Sequence, residues 1–272
     1  MHPLYSGRFL SQGYPDLAKE AVSYFSSHQD TSGVLDIMDC CGRLIDLSTG
    51  SKSVTVVGCG PNPRSLQELL ASGYDATGIE PVVGFARRAA EAIGDPRRVQ
   101  VGTAECTSLA PSSQRVVLLE SVLEHVESPA QALAEAYRVL EPGGVLFVYT
   151  TNRTRLSLTG RNDEFRVRFY NWFPAIVKEC YVYKHLHYDP ELANYSLRPA
   201  VHWFTFAELC ERGRQAGFAQ FYSLLDLVDQ NSPAMKRGLF RRTLVNRFRF
   251  NPWLRALALV QFGSSIFMLK RL

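Results

Sequence analysis

Short β-branched runs alternate with stretches of helical spacing along residues 53–152. Residues 54–57 are three valines and a threonine, and Leu66, Leu69 and Leu70 follow at the three-to-four-residue spacing of an amphipathic helix. The same alternation repeats further along the chain. Repeated strand–helix units predict a parallel sheet with helices on both faces, since each helix joins one parallel strand to the next.

The apolar pattern predicts seven strands, over 54–58, 75–80, 98–105, 115–121, 144–152, 219–228 and 264–272. Helices are predicted over 15–28, 32–47, 63–73, 84–94, 128–144 and 205–218. Two of them carry local end signals. Ser128 is a plausible N-cap followed by Pro129, and Thr205 is followed by Glu208 three residues later, with Gly217 at the far end.

The pattern divides the chain into four parts. They are an N-terminal helical cap (1–50), the α/β core (51–151), a lid or substrate insertion (152–204) and the C-terminal part of the core (205–272). The insertion after the fifth strand is rich in Tyr, Phe, Trp and Arg, and it is too long for a simple connection.

Charge is distributed unevenly over the 272 residues. The net charge of +4 is too mild to imply a nucleic-acid partner, but residues 230–272 contain nine Lys or Arg and no Asp or Glu. The basic, apolar segment 233–262 suits an amphipathic helix on an anionic membrane surface. The favoured alternative is an insertion between the last two strands that packs on the sheet and exposes its charges.

The six cysteines show neither a CxxC motif nor zinc-ligand spacing, so no metal site is predicted. A reducing, cytoplasmic setting is expected, with peripheral membrane contact as an alternative. The N-terminus lacks the pattern of a signal peptide, and no run of 18 apolar residues occurs. The pattern leaves the oligomeric state undetermined.

A glycine turn, Gly58-Cys59-Gly60, joins the first core strand to its helix. A dinucleotide site would need a third glycine, and the GxxxxGK[ST] phosphate loop is absent. The turn could instead bind a ligand without phosphate groups, one that combines a charged amino acid, a ribose and a purine. Glu80, at the end of the second strand, could accept from the ribose hydroxyls, and Glu105 follows the third strand near the expected purine edge.

Five motifs, "VVGCGPNP", "GIEP", "GTAE", "ESVLEHVESP" and "RVLEPGGVLFVYTTNR", occur in one order and spacing. In this they resemble the class I S-adenosylmethionine (SAM)-dependent methyltransferases. The branch that makes ubiquinone and menaquinone, with its natural-product and sugar methyltransferases, is the most similar. The resemblance covers about 53–152 and the "HWFTFAELCERGRQAGF" element. It implies a Rossmann-like, seven-stranded, mostly parallel sheet and SAM as cofactor.

The resemblance also implies a set of cofactor-binding residues. These are Gly58, Cys59 and Gly60 at the methionine part, Glu80 and Pro81 at the ribose, Thr103, Ala104 and Glu105 at the adenine, and Glu120, Ser121 and Val122 beside the sulfonium. Two positions depart from the family pattern. Val56 stands where an acid is usual, and Thr103 stands where many relatives have Asp.

The predicted activity is methyl transfer to a hydroxyl of a small molecule, a sugar or a lipid-linked acceptor. The absence of an NPPY-type sequence disfavours DNA bases, and no RNA-binding module is visible. His202 is the preferred base or acceptor ligand and His125 the second candidate, while either could serve the structure alone. His185 and His187 alternate, but no carboxylates with ligand spacing accompany them. A methyltransferase-fold binding protein without turnover is the alternative function.

Overall fold

A computed structural model describes most of the predicted core. The described residues are 23, 33–48, 50–154, 168–169, 172–174, 176–178, 200–228, 239–263 and 265–272. Almost all of the predicted helix at 15–28, most of the predicted lid at 152–204 and the start of the basic segment at 233–262 lie outside them.

Seven strands in the described residues form one sheet. They are β1 Ser53–Val57, β2 Asp75–Glu80, β3 Val99–Val101, β4 Gln114–Glu120, β5 Leu140–Tyr149, β6 Gln220–Tyr222 and β7 Ser265–Leu269. Their order is β3-β2-β1-β4-β5-β7-β6. The first five pair in parallel, and β7 runs antiparallel to both β5 and β6. The predicted seven-stranded, mostly parallel sheet is confirmed.

Helices pack on both faces of this sheet, as predicted. Their bounds are α1 Val34–Gly42, α2 Arg64–Ala71, α3 Val83–Ile93, α4 Pro129–Val139, α5 Phe206–Ala216, α6 Leu224–Leu227, α7 Leu239–Phe250 and α8 Pro252–Phe262. Buried residues of α1, α2 and α3 form one apolar cluster with the sheet. Those of α4 and α5 form the other cluster, on the opposite face. Consecutive strand residues alternate between the two clusters, because side chains of a strand point to opposite faces.

The end signals in the sequence are confirmed at two helices. The Ser128 side chain accepts from the Gln131 N–H at the start of α4. At α5, Thr205 and Glu208 form the predicted capping box, and Gly217 ends the helix with a left-handed backbone. These contacts span three or four residues, so the local sequence suffices to specify them.

Several predicted elements have different bounds. The third strand ends at Val101, because the backbones of Thr103 and Cys106 pair with each other in a tight turn. The helix predicted over 128–144 ends at Val139, and Leu140 already starts β5 by pairing with Gln114. Residues 140–144, which local spacing predicted to be helical, therefore belong to a strand of the sheet.

Two further elements are shorter than their predicted spans. The strand predicted over 219–228 stops at Tyr222, and Ser223 and Asp226 then form a capping box that starts the short helix α6. The helix predicted over 32–47 covers only α1, which packs on one face of the sheet. The rest of the predicted N-terminal cap stays a prediction.

The basic segment forms a helical hairpin, α7 and α8, between β6 and β7. The Asn251 side chain caps α8 by accepting from the main-chain N–H groups of Trp253 and Leu254, at 3.0 and 3.1 Å. Within the part of the chain that the structure describes, no helix combines the length and the apolar character needed to cross a membrane.

Candidate functional site

The sheet brings the ends of β1, β2 and β4 to one edge. Strand order reverses direction between β1 and β4, and ligands of open α/β sheets bind in the crevice at such a point. Glu80 ends β2 and Glu120 ends β4, so two predicted site carboxylates lie at this edge. The glycine turn after β1 lies between those two strand ends.

Gly58 and Gly60 both have a left-handed backbone, with φ of 70° and 64°. A Cβ at Gly58 would lie 2.6 Å from Cγ2 of Val122, so the turn packs tightly against the loop after β4. A Cβ at Gly60 would meet nothing within 4 Å. The turn therefore closes against the protein at its first glycine and faces open space at its second, where a ligand could approach the backbone.

The three amide N–H groups of the turn are already donated within the protein. Those of Gly58 and Cys59 go to the carbonyl oxygen of Ile79, at 2.7 and 3.2 Å, and that of Gly60 goes to Oε2 of Glu80, at 3.0 Å. The polar atoms that the turn can offer a ligand are thus carbonyl oxygens. Carbonyls accept hydrogen bonds from an ammonium group, whereas a phosphate needs donors.

Glu80 is buried at the bottom of this edge, with 5% of its surface exposed. Its Oε1 accepts from the N–H of Val82, at 3.0 Å, while Pro81 between them has no N–H to donate. Burial raises the pKa of Glu80 to about 7, against the lowering effect of the Val82 and Gly60 hydrogen bonds. Each carboxylate oxygen retains a further lone pair for a ligand hydroxyl.

The Cys59 side chain lies under the turn, against the sheet. A Cβ at Gly78 would lie 2.8 Å from its sulfur atom. Burial, and then the nearby Glu80 carboxylate, raise the pKa of the Cys59 thiol far above its ordinary value. A raised pKa keeps the thiol protonated at neutral pH and so disfavours it as a nucleophile.

Glu120, at the end of β4, is a carboxylate in a desolvated position. Burial raises the pKa of Glu120 to about 7. Beside it, Ser121 takes a left-handed backbone, with φ of 53°, and donates its N–H to the carbonyl oxygen of Tyr149, at 2.8 Å. A non-glycine residue in this conformation stores strain, which is common where a chain turns sharply into a site.

The predicted adenine segment is a tight turn in which Thr103 is exposed and Ala104 is buried. Oε1 of Glu105 accepts from the N–H groups of Glu127 and Ser128, at 2.7 and 3.3 Å. Glu105 therefore connects this turn to the start of α4. Its contact with an adenine stays a prediction.

The loop after β4 holds the segment that carries His202. The carbonyl oxygen of Glu124 accepts from the N–H groups of Val201 and His202, at 3.1 and 3.2 Å. His125 follows Glu124 directly, so the structure brings both predicted bases into adjoining segments. The His202 ring also stacks on the Phe204 ring, with 6.4 Å between centroids.

Two residues of this region were not singled out from the sequence. Glu124 is buried, and its Oε2 accepts from Oγ1 of Thr150 at 2.7 Å. It lies in the "ESVLEHVESP" motif, where the sequence predicts a functional role for its neighbour His125 but not for Glu124 itself. Lys178 is also buried, with its Nζ 4.6 Å from the centre of the Trp203 ring. Nothing in the local pattern around Lys178 signals that contact, which depends on tertiary packing.

His185, His187 and the predicted lid residues Tyr170, Tyr181, Tyr183 and Tyr188 lie outside the described residues. Of the lid aromatics that the structure describes, Phe169 and Trp172 stack with 5.8 Å between ring centroids and are both half-exposed. Among the described residues, no group of three or more His, Cys, Asp or Glu could hold a metal ion.

Residues 55–148 match a family model described as "Methyltransferase domain". A thiol S-methyltransferase of Mus musculus, TMT1B, is 26% identical over 54% of this chain and 56% of its own length. A ubiquinone biosynthesis O-methyltransferase of Sinorhizobium medicae is 34% identical over 41% of this chain and 42% of its own length. The chain thus spans about half the length of these curated relatives.

A solved structure shares the fold along nearly the whole chain. Phosphoethanolamine N-methyltransferase 2 of Haemonchus contortus, solved with phosphomonomethylethanolamine and S-adenosylhomocysteine, aligns with a TM-score of 0.53. The alignment covers 96% of this chain and 60% of that one, at 13% identity. The matched domain begins in β1 and ends in β5, and it contains the glycine turn and both edge carboxylates. Residues 55–148 are therefore a methyltransferase domain, and the chain is similar there to S-adenosylmethionine-dependent methyltransferases.

Proposed function

We propose that this chain is an enzyme that transfers a methyl group from SAM to an acceptor bound at the carboxyl ends of β1, β4 and β5. The observation that carries the proposal is the hydrogen bond from the N–H of Gly60 to Oε2 of Glu80. It joins the glycine turn to the acid at the end of β2, so the two predicted cofactor contacts are adjacent at the switch in strand order.

The residues at this edge fit the parts of SAM. The carbonyl groups of Gly58, Cys59 and Gly60 would accept from the methionyl ammonium group, because the N–H groups of the turn are already used. Glu80 would accept from the ribose hydroxyls, with Pro81 beside it. Thr103 and Ala104 would border the adenine, with Glu105 supporting their turn from the other side.

Glu120, Ser121 and Val122 would lie beside the sulfonium. A desolvated carboxylate attracts a nearby cation strongly, since little water screens the two charges. The elevated pKa of Glu120 means that a bound sulfonium would draw this group into its ionised form. Glu120 would thus distinguish the charged cofactor from the neutral product left after transfer.

SAM supplies a methyl group on a positively charged sulfur, where displacement by a nucleophile releases the sulfur as a neutral thioether. When the acceptor is a hydroxyl, its oxygen forms the new bond to carbon and its proton must leave. We propose that the imidazole of His202 takes this proton, with His125 as the second candidate. The hydrogen bond from the His202 N–H to Glu124 supports this role by fixing the backbone beside the loop after β4.

A hydroxyl of a small molecule, a sugar or a lipid-linked molecule is the proposed acceptor. The relatives' names cover sulfur, oxygen and nitrogen acceptors, so the family as such favours none of these atoms. A histidine base favours a hydroxyl, whose proton must be removed before or during the attack.

A binding protein without turnover is the second candidate. Val56, where relatives have an acid, is buried in the core beneath the turn and offers no carboxylate. Thr103 likewise lacks the acceptor of an Asp. Calorimetry with SAM, followed by transfer of a radiolabelled methyl group to phenolic, sugar and prenylated acceptors, separates the two. Binding together with transfer supports the enzyme, binding without transfer to any acceptor supports the second candidate, and absence of binding contradicts both.

A further inference from the structure

The solvent-facing side of α8 is apolar. Trp253, Leu257 and Val260 are 84%, 61% and 40% exposed, and Ala256 between them is exposed as well. Their spacing of three and four residues places them on one side of the helix. A surface helix ordinarily turns a polar side to water. In α8 the protein-facing side contains buried Ala258, and the solvent-facing side is apolar as well.

Two arginines of the hairpin hold α8 in this orientation. Arg255, the one charged residue of α8, faces the protein and forms a bidentate ion pair with Asp226. Arg249, near the end of α7, donates to the carbonyl oxygens of Val228 and Asp226, at 2.7 and 2.9 Å. Both arginines thus hold the hairpin to the segment around α6, and the apolar side of α8 remains outside.

The apolar surface continues across the bend between the two helices. Phe250, the last residue of α7, is 74% exposed and lies three residues before Trp253, on the other side of the bend at Asn251. Exposed Arg247 lies beside Phe250 in the wall of a shallow groove at the bend. We call the exposed residues Phe250, Trp253, Ala256, Leu257 and Val260 the α8 face.

We infer that the α8 face docks on an anionic lipid surface. Aromatic side chains such as Trp253 and Phe250 favour the boundary between lipid headgroups and acyl chains. The surrounding segment adds attraction to negative charge, because residues 230–272 carry nine Lys or Arg and no acid. Arg249, Arg255 and Lys270 are bonded within the protein, whereas Arg247 is exposed beside Phe250. The same charge opposes pairing with a second copy of this face, since two basic segments would repel each other.

The docked orientation would bring the proposed site close to the lipid. The side chains of Asn152 and Thr154 donate to the carbonyl oxygen of Val260, at 3.1 and 2.8 Å. They connect the end of α8 to the segment that leaves β5 at the site edge. That a lipid-linked acceptor enters from the membrane rests on the proposed function, whereas docking itself does not require methyl transfer.

Flotation of the full chain with vesicles tests the docking. Phosphatidylcholine vesicles are compared with vesicles in which phosphatidylglycerol replaces about a third of the lipid, at low and high salt. We expect binding to the anionic vesicles that weakens as salt rises. Leu257→Ser should reduce the partition coefficient by about tenfold or more, because a leucine no longer enters the apolar layer. Leu35→Ser, the same change at a half-exposed position of α1, should not reduce it.

Fluorescence supplies a second readout at a single residue. Brominated lipids should quench the emission of Trp253, and Trp253→Phe should remove that quenching while the chain still floats. Absence of flotation with either vesicle would overturn the inference, as would equal flotation of the wild type and Leu257→Ser. A concentration-dependent dimer that Leu257→Ser abolishes, seen by analytical ultracentrifugation without vesicle binding, would assign the face to a second copy instead. SAM binding, measured separately by calorimetry, tests the proposed function independently of the docking.

Discussion

The main-chain N–H of His202 donates a hydrogen bond to the carbonyl oxygen of Glu124, with 3.2 Å between the two atoms. The two residues are far apart in the sequence, and the contact places the segment before α5 against the loop after β4. Glu124 is itself held by Thr150, whose hydroxyl donates to its buried carboxylate. His202 therefore extends from a supported backbone, as a positioned proton acceptor must.

His202→Ala tests the proposed base. We expect kcat for a hydroxyl acceptor to fall roughly 10²–10⁴-fold with SAM affinity unchanged, and the pH–rate profile to lose a limb in the histidine range. Steady-state kinetics and calorimetry measure the two effects. The matched variant His125→Ala should lower kcat less. An unchanged kcat in His202→Ala would make His125 the next candidate for the base. A lowered Tm of His202→Ala with no other effect would indicate that His202 has a structural role.

If Glu120 faces the sulfonium, the preference of the protein for SAM over S-adenosylhomocysteine should depend on pH. Its pKa of about 7 means that raising the pH from 6 to 8 ionises the carboxylate and strengthens attraction to the sulfonium. The ratio of SAM affinity to S-adenosylhomocysteine affinity should therefore rise over this range. The neutral product serves as the internal reference, because it shares every other contact.

Calorimetry at three pH values measures that ratio. Glu120→Gln should remove its pH dependence while binding of S-adenosylhomocysteine changes little. A ratio that stays constant with pH in the wild type would show that Glu120 does not face the sulfonium.

Glu80→Ala should weaken binding of SAM and S-adenosylhomocysteine equally, by roughly 1.5–3 kcal/mol, since hydrogen bonds to an ionised acceptor are lost. The N–H of Gly60 also loses its partner, so a thermal melt must accompany the titration. NAD should not bind to either protein. Equal SAM affinity of the wild type and the variant would exclude the ribose contact.

The stability of the ligand-free protein should fall as pH rises from about 4.5 to 7. Glu80 has an ordinary pKa of 4.5 and a folded-state pKa of about 7, so in this window the unfolded chain releases a proton that the folded chain retains. Below the window both states are protonated, and above it the penalty is constant. The loss that Glu80 alone contributes should be at most about 3 kcal/mol.

Urea denaturation at several pH values measures this free energy of unfolding. Glu80→Gln should reduce the slope, and the remaining slope should come in part from Glu120, whose pKa is raised in the same direction. Stability that rises through this window in the wild type would contradict the burial of an ionisable Glu80.

The two turn glycines should respond differently to alanine. Both substitutions impose a left-handed backbone on a residue with a Cβ, at a cost of about 1 kcal/mol. Gly58→Ala adds a clash with Val122, whereas Gly60→Ala meets nothing and should instead lower SAM affinity. Val122→Ala should partly rescue the stability of Gly58→Ala in a double-mutant cycle. Purely additive losses would refute the contact.

Local sequence determined the alternating strands and helices, because their periodicity and end signals act over a few residues. The capping box of Thr205 and Glu208 and the N-cap of Ser128 could be predicted for this reason. The glycine turn and the spacing of Glu80 also indicated the cofactor site. The bounds of β5 could not be predicted, since Leu140 pairs with Gln114 only once the sheet has formed.

Tertiary structure alone decided which partners distant groups acquire. The carboxylate of Glu80 reaches the N–H of Gly60, and the backbone of His202 reaches Glu124, through strand order that no local pattern specifies. The sequence likewise showed that the basic segment mixes arginines with apolar residues, but not which side of α8 faces water. The partly buried ion pair between Arg255 and Asp226, 29 residues apart, fixes that orientation, because it turns Arg255 toward the protein and leaves Trp253 and Leu257 on the surface.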